Sequence, residues 1–419
     1  MSTVKLNRRS LLKMMGLGAA ATLIPSKGFS AALHRVVVVG GGFAGATAAK
    51  YLKLWGGASI EVVLINKEAN YASPILSNLV INDQKTMPDL TFSYNSLANN
   101  YGITVMTGEV TDLDFLAKTL LVDGISVSFD RIVLAPGIDF KPVPGLDFNL
   151  IPHAWQAGEQ TELLKAQVDQ MTDGDHFAMV IPRSPYRCPP GPYERACVIA
   201  DYLKNQKGFS NCRVSVFDHN ADITVEAETF HAQFTRHGID YTPNITLNSV
   251  DSTQRIMTFT LDNSEQSLQA TVLNVIPNQQ AAPIIFDNAL NDGDWAAVNP
   301  MTFESTKQPG VYVIGDSQGT GVPKAGHIAN SEAKVCASAL LSELNGLSPH
   351  TTVKINSACY SPVSINEATW LTVVYEYNSA TQQLQPVAGA NYPAMGLPST
   401  SNYRDMFNWS GNLFSDTFA

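Results

Sequence analysis

The sequence predicts an α/β protein with two Rossmann-like three-layer dinucleotide-binding domains and a C-terminal α+β interface domain. Three observations predict it. A β-branched run at residues 35–39 breaks into a glycine turn and then a helix-favouring stretch. A second apolar strand at 176–181 leads through a loop into a helical pattern from Tyr193 to Lys204. A chain of 419 residues has room for two or three such cores.

The first 32 residues stand apart from this pattern. Arg8-Arg9 precedes Leu11-Leu12, an apolar Gly/Ala-rich stretch runs from Met14 to Pro25, and small residues close it at Ser30-Ala31-Ala32. A charged start, a short apolar middle and a small-residue end make a signal peptide. The arginine pair resembles the twin-arginine signal, which implies export to the periplasm. The segment carries five Lys/Arg and no Asp/Glu, so the mature chain has 22 basic against 37 acidic residues. Such a surface excludes nucleic acid and anionic lipid as natural partners. After the signal no apolar run is long enough to cross a bilayer, so no integral membrane anchor is expected.

The first strand, Arg35 to Val39, suits the middle of a parallel sheet buried on both faces. In the turn Gly40-Gly41-Gly42-Phe43-Ala44-Gly45, Gly40 permits the tight bend and Gly42 lets a pyrophosphate approach the backbone. Gly45 lets helix and strand pack closely, and the helix N-terminus then offers free N–H groups to phosphate. A second strand, Ile60 to Ile65, completes the unit. It ends in Asn66-Lys67-Glu68 where an Asp or Glu is expected to accept from the adenosine ribose. Asn66 can accept through its amide oxygen without charge assistance, and Glu68 is the alternative acceptor.

Two later segments narrow the dinucleotide to FAD. Phe129 to Gly137 is a strand ending in a Pro-Gly turn, and it resembles the segment closing the first half of the two-dinucleotide-domain flavoproteins. Pro309 to Asp316 resembles their second FAD motif, which implies that Gly315-Asp316 meets the ribityl chain. The following helix then points its N-terminus at the flavin, whose reduced form is anionic at its pyrimidine end.

The second strand–helix junction reads differently. Where a second glycine turn would sit stands Pro182-Arg183-Ser184-Pro185-Tyr186-Arg187-Cys188-Pro189-Pro190-Gly191-Pro192. Prolines supply no N–H and fix φ, so this loop cannot build the amide cradle a pyrophosphate needs. NAD(P)H is therefore not the expected reductant. The loop presents a cysteine instead. The five cysteines form no zinc-type cluster and no CxxCH haem string. An odd count leaves at least one unpaired, and the spacing by itself does not choose a pairing.

The string from Arg187 to Ala196 resembles the active-site loop of the flavoprotein subunit of flavocytochrome c sulfide dehydrogenase, within the glutathione-reductase-like FAD/NAD(P) fold. Residues 151–160, 302–305, Cys359-Tyr360-Ser361, Asn408-Trp409 and 416–418 agree with it. The resemblance implies a redox disulfide between Cys188 and Cys359 against the flavin, Glu194 as acid/base and Trp409 as a flavin-side aromatic. It leaves Cys197, Cys212 and Cys336 as bystanders. It further implies oxidation of hydrogen sulfide to sulfane sulfur or polysulfide, with electrons passing to a c-type cytochrome subunit or a soluble cytochrome c. This chain carries no haem motif of its own.

The alternatives are a sulfide:quinone reductase, another thiol- or persulfide-oxidising flavoprotein, or a catalytically degenerate flavin-binding partner of a cytochrome. A quinone enzyme needs a membrane-facing apolar end, whereas Tyr392 to Ser401 is polar and shows no clear amphipathic helix. The motif order gives an FAD domain over 33–145 and 290–350, a second Rossmann-like domain without a nucleotide site over 146–289, and an interface domain over 351–419. In one respect the sequence departs from the family it resembles. The cysteine that commonly tethers the flavin is replaced by Pro74, and no cysteine precedes Cys188. FAD is therefore expected to be non-covalent: acid precipitation should release the yellow chromophore to the supernatant, and colour retained in a washed, denatured pellet would contradict this.

Overall fold

The computed structural model describes residues 33–389 and 392–419, so the export signal expected over 1–32 lies outside the described residues. In chain order the principal strands are β1 (His34–Val39), β2 (Ile60–Asn66), β3 (Thr104–Thr107), β4 (Arg131–Leu134), β5 (His176–Ile181), β6 (Arg213–Asp218) and β7 (Ile239–Thr242). They continue with β8 (Val272–Val275), β9 (Val311–Val313), β10 (Lys354–Pro362), β11 (Ala368–Asn378), β12 (Gln383–Pro386) and β13 (Tyr392–Ser399). The principal helices are α1 (Phe43–Gly56), α2 (Glu159–Asp169), α3 (Gly191–Asp201), α4 (Ala227–His237), α5 (Gly326–Leu344) and α6 (Thr400–Phe418).

The first sheet has the order β9-β4-β1-β2-β3, parallel throughout. Its valines divide by the period of two that a strand imposes. Val36 and Val38 face the layer of α1 and α5, where Ala46, Ala49, Ala333 and Ala337 keep the helices close. Val37 and Val39 face an antiparallel meander through Leu113, Leu120 and Val127. Burial on both faces is why β1 reads as an unbroken apolar run. β9 returns to this sheet after the whole second sheet has been built, and it delivers Gly315-Asp316 beside the first turn.

The second sheet, β7-β6-β5-β8, is also parallel and repeats the plan. Phe177, Met179 and Ile181 face the helical layer of α2, α3 and α4, while Ala178 and Val180 face a second meander. The helix expected from Tyr193 begins two residues earlier at Gly191, with Pro192 in its first turn, where a missing N–H costs nothing. It ends as an α-helix at Asp201 and runs on as a π-helical turn over Tyr202–Gln206.

The chain ends in an antiparallel sheet in which β10, β12 and β13 all involve or flank β11. Tyr392 to Ser401, where no clear amphipathic helix is expected, is almost entirely the strand β13, and the 19-residue helix α6, which the sequence pattern did not show, follows it. Its buried stripe is Met406, Ser410, Leu413, Thr417 and Phe418. Two of the five are polar, which hid the pattern. The Ser410 hydroxyl donates to the Phe407 carbonyl (3.2 Å), and the Thr417 hydroxyl accepts from the Asn330 amide (3.2 Å). Ser399 caps the helix by accepting from the Asn402 N–H at 3.1 Å. Among the described residues no helix is long and apolar enough to cross a membrane.

The glycine turn shows why side chains are excluded there. Gly40 sits at φ +98°, and a Cβ on it would meet the Ala135 carbonyl oxygen at 2.2 Å; one on Gly45 would meet the Gly40 oxygen at 1.8 Å. Gly45→Ala must push α1 off β1. It is expected to cost about 1–3 kcal/mol, lowering the urea midpoint and the flavin content of purified protein; an unchanged midpoint would contradict the packing.

Candidate active site

One cleft runs along the C-terminal ends of β1, β2, β4 and β9. Gly40, Gly42, Asn66, Gly137, Gly315 and Asp316 all line it, together with Tyr71, Pro74 and Arg187. Gly45 lies behind the turn, between α1 and β1, as its steric role requires. Asn66 carries a local duty the sequence did not reveal. Its amide oxygen accepts from the Gly41 N–H (2.8 Å) and its amide nitrogen donates to the Glu68 carbonyl (2.7 Å), so it ties the phosphate turn to the end of β2. Glu68 is exposed at the rim of the same cleft.

The cleft fits FAD. Gly42 is the N-cap residue of α1, leaving first-turn N–H groups free for a pyrophosphate. Asp316 Oδ1 and Arg187 Nη2 are buried yet make no hydrogen bond within the protein, which calls for a polar ligand. The two side chains stand 3.9 Å apart, Nη1 to Oδ2. Glu332 supports this corner from α5: one carboxylate oxygen accepts from the Gly315 N–H (2.9 Å), the other from the Gln318 side-chain amide (2.8 Å). Burial pushes Glu332 up to about 8 and Lys324 down to about 8. Lys324 donates to the Gln318 carbonyl at 2.7 Å and lies 3.6 Å from the centre of the Trp295 ring.

A second cavity adjoins the first, sharing Pro74, Arg187 and Gly326 with it. Cys188 and Cys359 both line it, and so do Glu194 and Trp409. The proline loop thus does for a sulfur atom what a glycine turn does for a phosphate. Cys188 donates its N–H to the Lys324 carbonyl (2.7 Å) and adopts φ +55°, an uncommon conformation for a residue with a side chain. A Cβ on Gly191 would lie 2.9 Å from the Cys188 sulfur, so glycine there makes room for it. Cys359 sits mid-strand in β10, opposite Leu371. Both cysteines are free thiols in the structure. Burial, then the charge of Glu194, pushes the Cys188 thiol far up, and burial pushes Cys359 up to about 12. A site that penalises thiolates leaves a neutral disulfide unpenalised.

Glu194 stands in the first turn of α3 and is buried; burial pushes its carboxyl up to about 8. Asn78 donates to its Oε1 at 2.8 Å, pulling it partly back. Arg195 was not singled out from sequence, although it follows Glu194 directly. Its buried guanidinium donates to Asn78 Oδ1 (2.9 Å), Asn274 Oδ1 (3.0 Å), and the carbonyls of His153 (3.0 Å) and Ala154. The Trp409 indole donates to His327 Nδ1 at 3.3 Å, and the Ala358 N–H donates to the same nitrogen at 3.0 Å. His327 therefore carries its proton on Nε2. Cys197 and Cys336 are buried in the two helical layers, while Cys212 lies half-exposed with its sulfur 3.2 Å from the Thr172 carbonyl.

Residues 34–176 match the family model of pyridine nucleotide-disulphide oxidoreductases. The fold is shared with a sulfide:quinone oxidoreductase from Aquifex aeolicus at 13% identity and TM-score 0.73, covering 92% of each chain. It is also shared with NDH2 from Plasmodium falciparum (12% identity, TM-score 0.68, 92% of this chain and 97% of that one). A NAD-dependent persulfide reductase from A. fulgidus follows at 15% identity and TM-score 0.59, covering 91% and 77%. The chain has the two-domain FAD/NAD(P) fold of flavin-dependent oxidoreductases. More narrowly, its residues 161–277 match the central part of the sulfide dehydrogenase [flavocytochrome c] flavoprotein chain.

The raised carboxyl of Glu194 has a consequence for stability. Between its ordinary value of 4.5 and about 8, the folded protein holds a proton that the unfolded chain has lost. Its contribution to stability therefore falls as pH rises through that window. Glu194→Gln should remove this slope, so its chemical-denaturation midpoint should gain on the wild type from pH 5 to pH 8; parallel profiles would contradict a raised Glu194.

Proposed function

We propose that the protein is a periplasmic sulfide dehydrogenase flavoprotein that oxidises hydrosulfide at a Cys188–Cys359 disulfide. The observation that carries this reading is convergence: two cysteines from distant parts of the chain border one cavity, beside a protonatable Glu194, next to the FAD cleft. Hydrosulfide attacks one sulfur of the disulfide; the S–S bond breaks, leaving a persulfide on one cysteine and a thiolate on the other. A second hydrosulfide takes the sulfane sulfur as hydrodisulfide, and the freed pair closes again with loss of two electrons. Bound FAD would accept those electrons and pass them singly to a c-type cytochrome, as a separate subunit or a soluble protein. Arg195 and Asn78 keep Glu194 where it can hold or give a proton near neutrality. Gly40, Gly42, Asn66, Gly137, Gly315 and Asp316 would hold the cofactor without a covalent tether, with Trp409 at the flavin side. The proline loop at 182–192 and the sulfide dehydrogenase match at 161–277 both support sulfide rather than NAD(P)H as the electron donor.

Anaerobic addition of sulfide to the FAD-loaded protein should bleach the flavin band, and ferricytochrome c should restore it. Cys359→Ser should slow bleaching by at least 100-fold while flavin content stays unchanged. Bleaching of this variant at the wild-type rate would eliminate the disulfide route. Recovery with a quinone but not with cytochrome c would reassign the acceptor.

A further inference from the structure

The chemistry just proposed leaves a proton to remove. Two hydrosulfide ions yield one hydrodisulfide, two electrons and one proton; the electrons go to the one-electron acceptor, and the proton remains in a buried site. A row of four buried polar side chains begins there. Ser361, two residues beyond Cys359 on β10, lies directly opposite Thr369 on β11. Residues so paired bring their Cβ atoms to about 4.5–5.5 Å, within reach for their hydroxyls. The Ser361 hydroxyl adjoins Glu194, and the Thr369 hydroxyl adjoins Glu226. Yet Ser361 Oγ, Thr369 Oγ1 and both carboxyl oxygens of Glu226 are buried without closing a hydrogen bond. Ser361 is 1% exposed, Thr369 0% and Glu226 6%, so solvent does not compensate them. Native proteins rarely leave consecutive buried polar groups open without a functional reason.

Glu226 is also held in an unusual way. It precedes α4 with φ +50° and ψ +38°, a left-handed conformation that glycine would adopt more easily. Its side chain makes no capping bond to the helix, so an N-cap role does not explain it. It borders a separate apolar cleft, lined also by Ser357, Cys359, Leu371 and Tyr375, which shares neither Arg187 nor Gly326 with the flavin side. Cys359 thus divides two cavities, with Glu194 facing one and Glu226 the other.

We propose that Glu226 is the outer terminus of a proton relay that runs from Glu194 through the hydroxyls of Ser361 and Thr369. The source of the proton rests on the sulfide reading above; the connection between the two acids does not. Rotation of each hydroxyl passes a proton from one neighbour to the next, so the line needs no mobile base between its ends. Burial pushes both carboxyls toward neutrality, Glu194 to about 8 and Glu226 to about 7, so each can hold or release a proton there. The titratable groups facing the pair are Arg195, Cys188, Cys197, Cys359 and Tyr375.

Two measurements on the FAD-loaded protein test the relay. The first is steady-state oxidation of sulfide by ferricytochrome c across pH, with proton release followed by an indicator dye. Thr369→Val and Glu226→Gln should each slow turnover and proton release about 10-fold or more and displace the pH profile; Thr369→Ser should restore both. Wild-type turnover and pH profile in Thr369→Val and Glu226→Gln would overturn the relay. The second is infrared titration of protonated carboxyl bands, which needs no turnover. Glu226→Gln should lower the titration point of the band that Glu194→Gln abolishes, because the Glu226 charge raises Glu194, and independence of the two bands would overturn the coupling. If sulfide fails to bleach the wild-type flavin, the proposed function falls, and the infrared titration alone decides the relay.

Discussion

The buried guanidinium of Arg195 is the interaction on which the site depends. It donates to two asparagine side chains and two carbonyls, from the segment holding Asn78, the loop at 153–154 and β8. It also stacks 5.1 Å from the centre of the Trp155 ring. Burying a cation is costly, and four acceptors offset the cost only while all remain in place. Losing the arginine would strand several buried acceptors at once, each worth about 1–3 kcal/mol. The cation therefore fixes where Glu194 and the start of α3 can stand, and through α3 it fixes Cys188.

A similar logic governs the cofactor cleft. Glu332 and Lys324 are buried titratable groups on or just before α5, and each is bonded to the Gly315–Gln318 turn. Lys324 also gives its carbonyl to the Cys188 N–H. One short segment therefore holds the cofactor turn with its side chain and the cysteine loop with its backbone. The polar atoms left over, on Asp316 and Arg187, are those that border the space between. Rigid support with a few unfilled hydrogen-bonding positions is what a preformed binding site requires.

The C-terminal segment has a further part. Cys359 lies on a central pairing of β10 with β11, so its position is set by a ladder rather than by a loop. α6 brings Trp409 against His327, and its end engages Thr47 and Asn330 on α1 and α5. The last strands and helix therefore work as a clamp that closes one side of the cysteine cavity with aromatic and cysteine side chains together.

The sequence by itself determined the strand–turn–helix unit at residues 34–56, the returning Gly315-Asp316 segment and the substitution of a cysteine-bearing proline loop for a second glycine turn. Those features are local: backbone conformation and missing N–H groups are properties of a few neighbouring residues. The pattern also carried both sheets, because a strand buried on two faces must be apolar throughout. It did not reveal α6, whose buried stripe uses hydroxyls satisfied within the helix at Ser410 and by Asn330 of α5 at Thr417. Nor did it single out Arg195, Lys324, Glu332 or Glu226. Charged residues look like surface residues in a sequence, and only the tertiary structure shows that these are buried, what compensates three of them, and that Glu226 is left open.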